Sequence, residues 1–419
     1  MPDPKGIPTL KKFLDSVQTS KHETLSKEAS SVVAHEDAFA EMKAHVLKHY
    51  EGVEAQHSFV DANGSIFDCI PIAQQPSLKG SKGSIPKAPD LPQHDYASSA
   101  AADEKKDHLI SSPMGPNKKD SYGNLMHCPE GTVPMRRITL ETLTRFKTLR
   151  HFFQKGPGEV LPPKSSGGAI PPGVPATHRW AHAYQNVNNG GGHSFLNIWK
   201  PPIGANQIFS LSQHWYVAGS GSGLQTAECG WQVYPALYGN TNPVFFIYWT
   251  RDGYASTGCY NMSCAAFVHT AGSFTPGMAV GPISVTGGAQ YSFELAFWHT
   301  GGRWWLYVNG TSGSNAIGYY PDSIYAGGAL TNHATEIDYG GETVGTTSFP
   351  KMGSGEFAAT GWQHAAYHRA INYYPPGGGS VDATLTPSAS WPACYTAKLD
   401  TFGAPWNKTL WFGGPGGAC

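Results

Sequence analysis

From residue 178 to the C-terminus, short apolar runs alternate with turns of Gly, Asn and Ser. The runs at 209–217, 244–250, 291–299 and 303–308 have strand length, and their spacing predicts a β-sandwich rather than βαβ units. The front of the chain follows another period. Phe39, Met42, Val46, Leu47 and Tyr50 recur at helical spacing and predict a helix over 36–50. Thr139 as N-cap, Glu141 in the first turn and a stripe of Leu143, Phe146 and Leu149 predict a second helix over 139–153. Residues 57–70, with Asn63-Gly64 at their centre, predict a hairpin. Residues 1–30 are polar and read as loosely ordered, and 74–123, rich in Pro, Ser, Lys and Gly, read as a flexible connection. Residues 154–177 have no core-forming pattern and read as an exposed linker open to proteolysis. The chain thus divides into a front segment (1–153), a Pro/Gly-rich linker (154–177) and an all-β domain (178–419).

One predicted strand carries a carboxylate in its middle. Alternation along residues 224–235 puts Glu228, Gly230 and Gln232 on one face and Ala227, Cys229, Trp231 and Val233 on the other. A lone Glu in such a place is usually solvated or salt-bridged. A second carboxylate changes the balance: Gly340-Gly341 lets the chain approach something closely before presenting Glu342. Two carboxyls in one cleft that share a proton supply both a base for water and an acid for a leaving amine. Gln232, on the face of Glu228, is a candidate oxyanion donor, with a structural hydrogen bond equally possible. Trp215 and Tyr339 are candidate walls of an apolar pocket, although core packing is the commoner role for each alone.

Other motifs are weaker. His364 and His368 lie four apart, but Ala365 replaces the Glu of a zincin, and no metal or cofactor is expected. Ser354 lacks the Gly-x-Ser-x-Gly spacing and reads as a turn. Cys229 reads as a small buried thiol.

Charge is unevenly spread over the 419 residues: residues 1–155 hold 20 Lys/Arg and 19 Asp/Glu, and the longer remainder holds 9 and 11. A domain with few carboxylates has few to protonate, which suits an acidic environment. A net charge of -1 offers no field for nucleic acid or membrane as partner. Paired cysteines and sequons at Asn63, Asn261, Asn309 and Asn407 predict a secreted, extracellular glycoprotein. The opening Met-Pro-Asp-Pro is not a signal peptide, so secretion implies a signal already removed and Met1 added. Cys69 and Cys128 both lie in the front segment, where a bridge depends on a distance the sequence does not give.

Several motifs in order carry a family resemblance. They are Ser210-Leu211-Ser212-Gln213 with Trp215, Glu228-Cys229-Gly230-Trp231-Gln232-Val233-Tyr234-Pro235, and Tyr248-Trp249-Thr250-Arg251-Asp252-Gly253-Tyr254. Gly258-Cys259-Tyr260-Asn261 with Cys264, Trp304-Trp305-Leu306, Gly318-Tyr319-Tyr320-Pro321, Gly340-Gly341-Glu342 and Met352-Gly353-Ser354-Gly355 follow. The chain resembles the neprosin family of glutamic peptidases, strongly over 178–419 and more loosely over 36–153. The resemblance implies an antiparallel two-sheet β-sandwich preceded by a smaller α+β propeptide domain. It implies a secreted, acid-active endopeptidase cleaving after proline, made as a zymogen, with Glu228 and Glu342 at the catalytic positions. Its partners would be proline-containing peptides and its own propeptide as inhibitor. The resemblance also implies disulfides Cys259–Cys264 and Cys394–Cys419. A proline-directed enzyme could then cut its own linker, with Lys and His side chains of the block near the glutamates until acid loosens them. A carbohydrate-binding sandwich, a glycosidase using two carboxyls and an inactive relative are the competing classes.

Overall fold

The computed structural model describes residues 4–28, 30–81, 84–94, 105–155 and 176–418. The front segment begins with helix α1 (Leu10–Thr19), whose N-cap Thr9 accepts from the Lys12 N–H. Leu10, Phe13 and Val17 recur three and four apart and are buried, so this stretch is ordered where its polarity suggested a loose chain. Helix α2 (His22–Leu25) leads to α3 (Glu36–His49), the expected helix, which buries Phe39, Met42 and Val46. The expected hairpin is β1 (His57–Val60) against β2 (Ile66–Pro71), with Phe59 opposite Phe67. Strand β3 (Asp107–Leu109) leaves this layer, and β4 (Thr132–Arg136) completes a three-stranded sheet beside β2. A disulfide joins Cys69 to Cys128 across a Cα separation of 5.3 Å.

The helix expected over 139–153 is two short ones, α4 (Leu140–Leu143) and α5 (Leu149–Phe153). Thr139 caps the first as expected, and Thr148 caps a second start by accepting from the His151 N–H. Between them the Thr144 carbonyl accepts from the Val32 N–H at 2.7 Å instead of continuing the helix. Phe146 turns inward onto Phe152 and Tyr234, at centroid distances of 5.5 and 6.3 Å. Tertiary contacts outweigh the helical pattern there.

The C-terminal domain is the expected two-sheet sandwich. Its strands are β5 (Thr177–Asn189), β6 (Gly191–Asn197), β7 (Gln207–Ala218), β8 (Gln225–Val233), β9 (Val244–Thr250), β10 (Cys259–Tyr260), β11 (Val268–His269) and β12 (Gln290–Thr300). They continue with β13 (Arg303–Val308), β14 (Ala316–Pro321), β15 (Ala334–Gly345), β16 (Ala366–Tyr373), β17 (Val381–Asp382), β18 (Thr386–Ala389), β19 (Thr396–Thr401) and β20 (Lys408–Gly413). One sheet runs β10-β9-β8-β7-β15-β5-β18, and the other runs β11-β14-β13-β12-β6-β16-β20-β19. Trp231, Tyr216, Phe297 and Trp304 fill the space between them. The disulfide Cys259–Cys264 is present. Cys394 is half of another, and its expected partner Cys419 lies outside the described residues.

The described parts of 74–123 are not a free connection. β3 pairs in parallel with β12, and the Asp107 carboxylate accepts from Arg369 Nε and Ser292 Oγ, both at 2.7 Å. The Leu91 N–H donates to the Thr311 carbonyl, and the Tyr307 hydroxyl donates to that of Pro89. This strap uses polar and Pro-rich residues because it binds through backbone groups and single anchors, a mode that composition hides. The linker prolines Pro157, Pro162, Pro163, Pro171, Pro172 and Pro175 lie outside the described residues.

A polar seam crosses the sandwich interior. His368 contacts Ser194 Oγ and Ser212 Oγ at 2.9 and 2.8 Å, and His214 contacts Ser194 Oγ at 2.7 Å. Burial pushes His368 down to about 3 and His214 well below its usual value. Unfolded, these imidazoles take up protons below 6.5; folded, His368 resists until about 3, so stability present above 6.5 is lost as pH falls between those values. His368→Gln should remove up to ~1 kcal/mol per pH unit of that slope. Thermal melts at pH 7 and pH 4 measure it, and a slope unchanged from wild type would acquit the imidazole.

Candidate active site

The outer face of the β8-containing sheet carries the site. Strand pairing sets Glu228 beside Trp215, Gln213 beside both Gly230 and Gly340, and Glu342 beside Leu211 and Trp180. Paired residues share a face, so the two glutamates lie diagonally across β7 with Gln213 between them. The flanking glycines make this possible. A Cβ on Gly230 would come within 1.9 Å of the Ser212 carbonyl, and one on Gly340 within 2.6 Å of the His182 Cα.

Lys155, just after α5, brings the two carboxylates to one point. Its ammonium contacts Oε2 of Glu228 and, at 2.9 Å, Oε2 of Glu342. All three side chains are at most 3% exposed. Each glutamate uses its other oxygen for an anchor. Glu228 Oε1 accepts from Tyr254 Oη and Thr226 Oγ1, both at 2.8 Å. Glu342 Oε1 accepts from His178 Nδ1, while its Oε2 also accepts from Gln213 Nε2 at 3.4 Å. Burial would raise the Glu342 carboxyl, but Lys155 and His178 hold it down to about 2. Burial likewise works against the Lys155 ammonium, and the two carboxylates outweigh it and raise its pKa.

A cavity of about 330 Å³ opens beside this centre, lined by Lys155, His178, Trp180, Trp215, Tyr254 and Glu342. The Lys155 ammonium lies 5.2 Å from the Trp215 ring centroid. Trp215 lines this cavity. Tyr339 does not: it lies on the opposite face, buried between the sheets, and its hydroxyl donates to the Asn372 carbonyl at 3.1 Å. Gln232 shares the face of Glu228 but is committed elsewhere, donating to Tyr260 Oη and accepting from Tyr238 Oη. Gln213, not Gln232, is the amide in contact with Glu342.

His364 and His368 are not brought together. His364 is half-buried beside Glu356, and His368 is sealed inside the sandwich. Cys229 is a buried free thiol, as expected. Among the sequons, Asn261 is a correction. Its side chain is buried, donating to Tyr238 Oη and accepting from the Ile247 N–H, so a glycan there would break both bonds. Asn407 is buried too, while Asn63 and Asn309 are half-buried.

Residues 206–415, half of the chain, match the family model described as Neprosin. The chain belongs to the neprosin family. Membership makes it a peptidase of the glutamic class. Among solved structures it is similar to scytalido-glutamic peptidase with a transition state analogue inhibitor, at 9% identity and a TM-score of 0.32 over 57% of this chain and 98% of that one. It is also similar to SCP-B, a member of the eqolisin family of peptidases in complex with the tripeptide Ala-Ile-His, at 8% identity and a TM-score of 0.32 over the same shares.

Four residues of this neprosin's site escape sequence reasoning as site residues. Lys155 carries no pattern at all. His178 was visible in principle, because His178, Trp180 and His182 alternate onto the Glu342 face of β5. Tyr254 and Gln213 stand inside recognised motifs, but only pairing shows what they face.

Proposed function

We propose that this neprosin is a secreted, acid-active endopeptidase, made as a zymogen, that cleaves after proline with Glu228 and Glu342 as its catalytic pair. The observation that carries the reading is the Lys155 ammonium held between the two Oε2 atoms. That ion pair brings both carboxylates to one point beside the cavity, which supports a shared site for the attacked carbonyl and its water. In the open enzyme one carboxylate takes a proton from water as the water oxygen bonds to the scissile carbonyl carbon. The other carboxyl gives its proton, and the C–N bond breaks with the amine leaving protonated. Gln213 is placed to donate to the developing oxyanion. Trp180, Trp215 and Tyr254 offer the flat apolar walls that a pyrrolidine ring needs.

Residues 1–153 act as the activation peptide and 154–177 as the segment cut. The Arg150 guanidinium donates to the Tyr254 carbonyl at 3.4 Å, and the Phe153 carbonyl accepts from Tyr248 Oη at 3.1 Å, which supports α5 and Lys155 as a plug.

The test is digestion of an unstructured proline-containing protein from acid to neutral pH, with the fragments sequenced by mass spectrometry. Acidified wild type is expected to shed its front segment and to release fragments ending in proline. Fragments without that preference would remove the proline reading, and full-length protein after acidification would remove the zymogen reading.

A further inference from the structure

We propose that His178 and Tyr254 make the two glutamates unequal: His178 keeps Glu342 as the base, and Tyr254 with Thr226 orients Glu228 as the acid. The proposal rests on the glutamic-pair reading above and assigns its roles.

Both glutamates turn Oε2 to the centre and anchor Oε1, but the anchors differ in chemistry. Glu342 Oε1 takes its bond from an imidazole nitrogen, a group able to hold a second proton and a positive charge. Glu228 Oε1 takes two from neutral hydroxyls. The Tyr254 phenol stays neutral, because burial and then the Glu228 charge push it well above its usual value.

Each anchor is fixed by its surroundings. The His178 ring stacks on Trp180 with centroids 5.6 Å apart and meets Phe209 edge-on at 6.3 Å. The Tyr254 backbone is in the left-handed region at φ +64, where a bulky residue rarely sits. A turn built on Asp252 holds it there. That carboxylate accepts from the backbone and hydroxyls of Ser256 and Thr257, and Thr250 Oγ1 accepts from the Tyr254 N–H. Strain of this kind, supported from several sides, places one hydroxyl on one carboxylate oxygen.

The charged groups facing His178 are Glu342 from β15, Lys155 just after α5, and Arg179 of its own strand, whose guanidinium donates to the His178 carbonyl. Those facing Tyr254 are Glu228 and Glu342, with Arg150 at its carbonyl. Lys155 and Arg150 belong to the plug. Once it departs, His178 is the only basic side chain in contact with either glutamate among the described residues. The shared proton then settles on Glu228. Its Oε1 already accepts two hydrogen bonds, so the proton sits on Oε2, facing the centre. Glu342 stays ionised and takes the proton from water, and Glu228 delivers its own to the departing amine.

The experiment compares the pH dependence of kcat/KM for activated wild type, His178→Gln and Tyr254→Phe on one peptide. Loss of the His178 cation raises the pKa of the base, so the acidic limb should move up by about 1 pH unit, with activity about tenfold lower on that limb. The neutral limb should stay in place. Loss of the Tyr254 donor raises the pKa of the acid, so the neutral limb should move up and the acidic limb stay. His178→Lys, which keeps a cation, should restore the acidic limb. Crossed shifts, with His178→Gln moving the neutral limb, would reverse the assignment and overturn the proposal. A uniform drop at every pH would reduce both residues to packing and overturn it equally. Glu228→Gln and Glu342→Gln run as controls: if either retains wild-type activity, the glutamic-pair reading fails, which is a different outcome from unmoved limbs in an enzyme that needs both glutamates.

Discussion

Glu228→Gln and Glu342→Gln are each expected to lower kcat/KM in acid by on the order of 10³-fold while leaving the sandwich folded. The amide is isosteric with the carboxyl but can neither take a proton from water nor share one with its partner. The loss should be similar for the two variants and far from additive in the double variant, because base and acid work on one proton inventory. Fold retention is expected because Glu228 keeps its contacts with Tyr254 and Thr226, and Glu342 its place in the strand ladder, after substitution. Steady-state kinetics on the activated protein, with near-UV circular dichroism as the control, would decide this. A single variant retaining a tenth of wild-type activity would mean that its carboxylate is a bystander.

The second large effect falls on the full-length protein. Lys155→Met leaves two buried carboxylates facing each other without the ammonium between them, and the expected loss is ~3–5 kcal/mol at pH 7. The loss should depend on pH in a stated direction. Lys155 and His178 hold Glu342 down to about 2, below its ordinary 4.5, so the stability they give is present above 4.5 and lost as pH falls toward 2. In Lys155→Met the carboxyls take up a proton instead of staying charged. The gap between wild type and variant should therefore be widest near neutrality and close between pH 4.5 and 2. Thermal melts of the full-length protein across that range would show it. An equal gap at pH 7 and pH 2.5 would mean that Lys155 acts by packing alone. The same linkage says when the plug loosens. On the proposed zymogen reading, Lys155 and His178 keep Glu342 charged and the plug seated into acid, and the variant should lose latency at a milder pH.

Part of this protein is legible in its sequence alone. Alternation puts Glu228 and Gln232 on one face of β8, and pairing keeps them there, since a period of two is local. The turn at Asn63-Gly64 and the runs that form β7, β9, β12 and β13 are readable for the same reason. Even the placing of Tyr339 is legible. It stands three residues before Glu342, and an odd spacing in a strand means the other face. The buried stripe of α1 is likewise visible, hidden only by the polar residues around it.

Tertiary structure decided the rest. No local pattern marks Lys155 as the cation between two strands of another domain, because that contact spans more than seventy residues of chain. The break between α4 and α5 depends on a hydrogen bond from Val32, and the strap at β3 on a buried Arg369 that sequence cannot pair with Asp107. Hydrophobic period and turn chemistry fix what each segment does with its own neighbours. Which carboxylate meets which cation depends on strand order and register, and those are set only when the sheets close over one another.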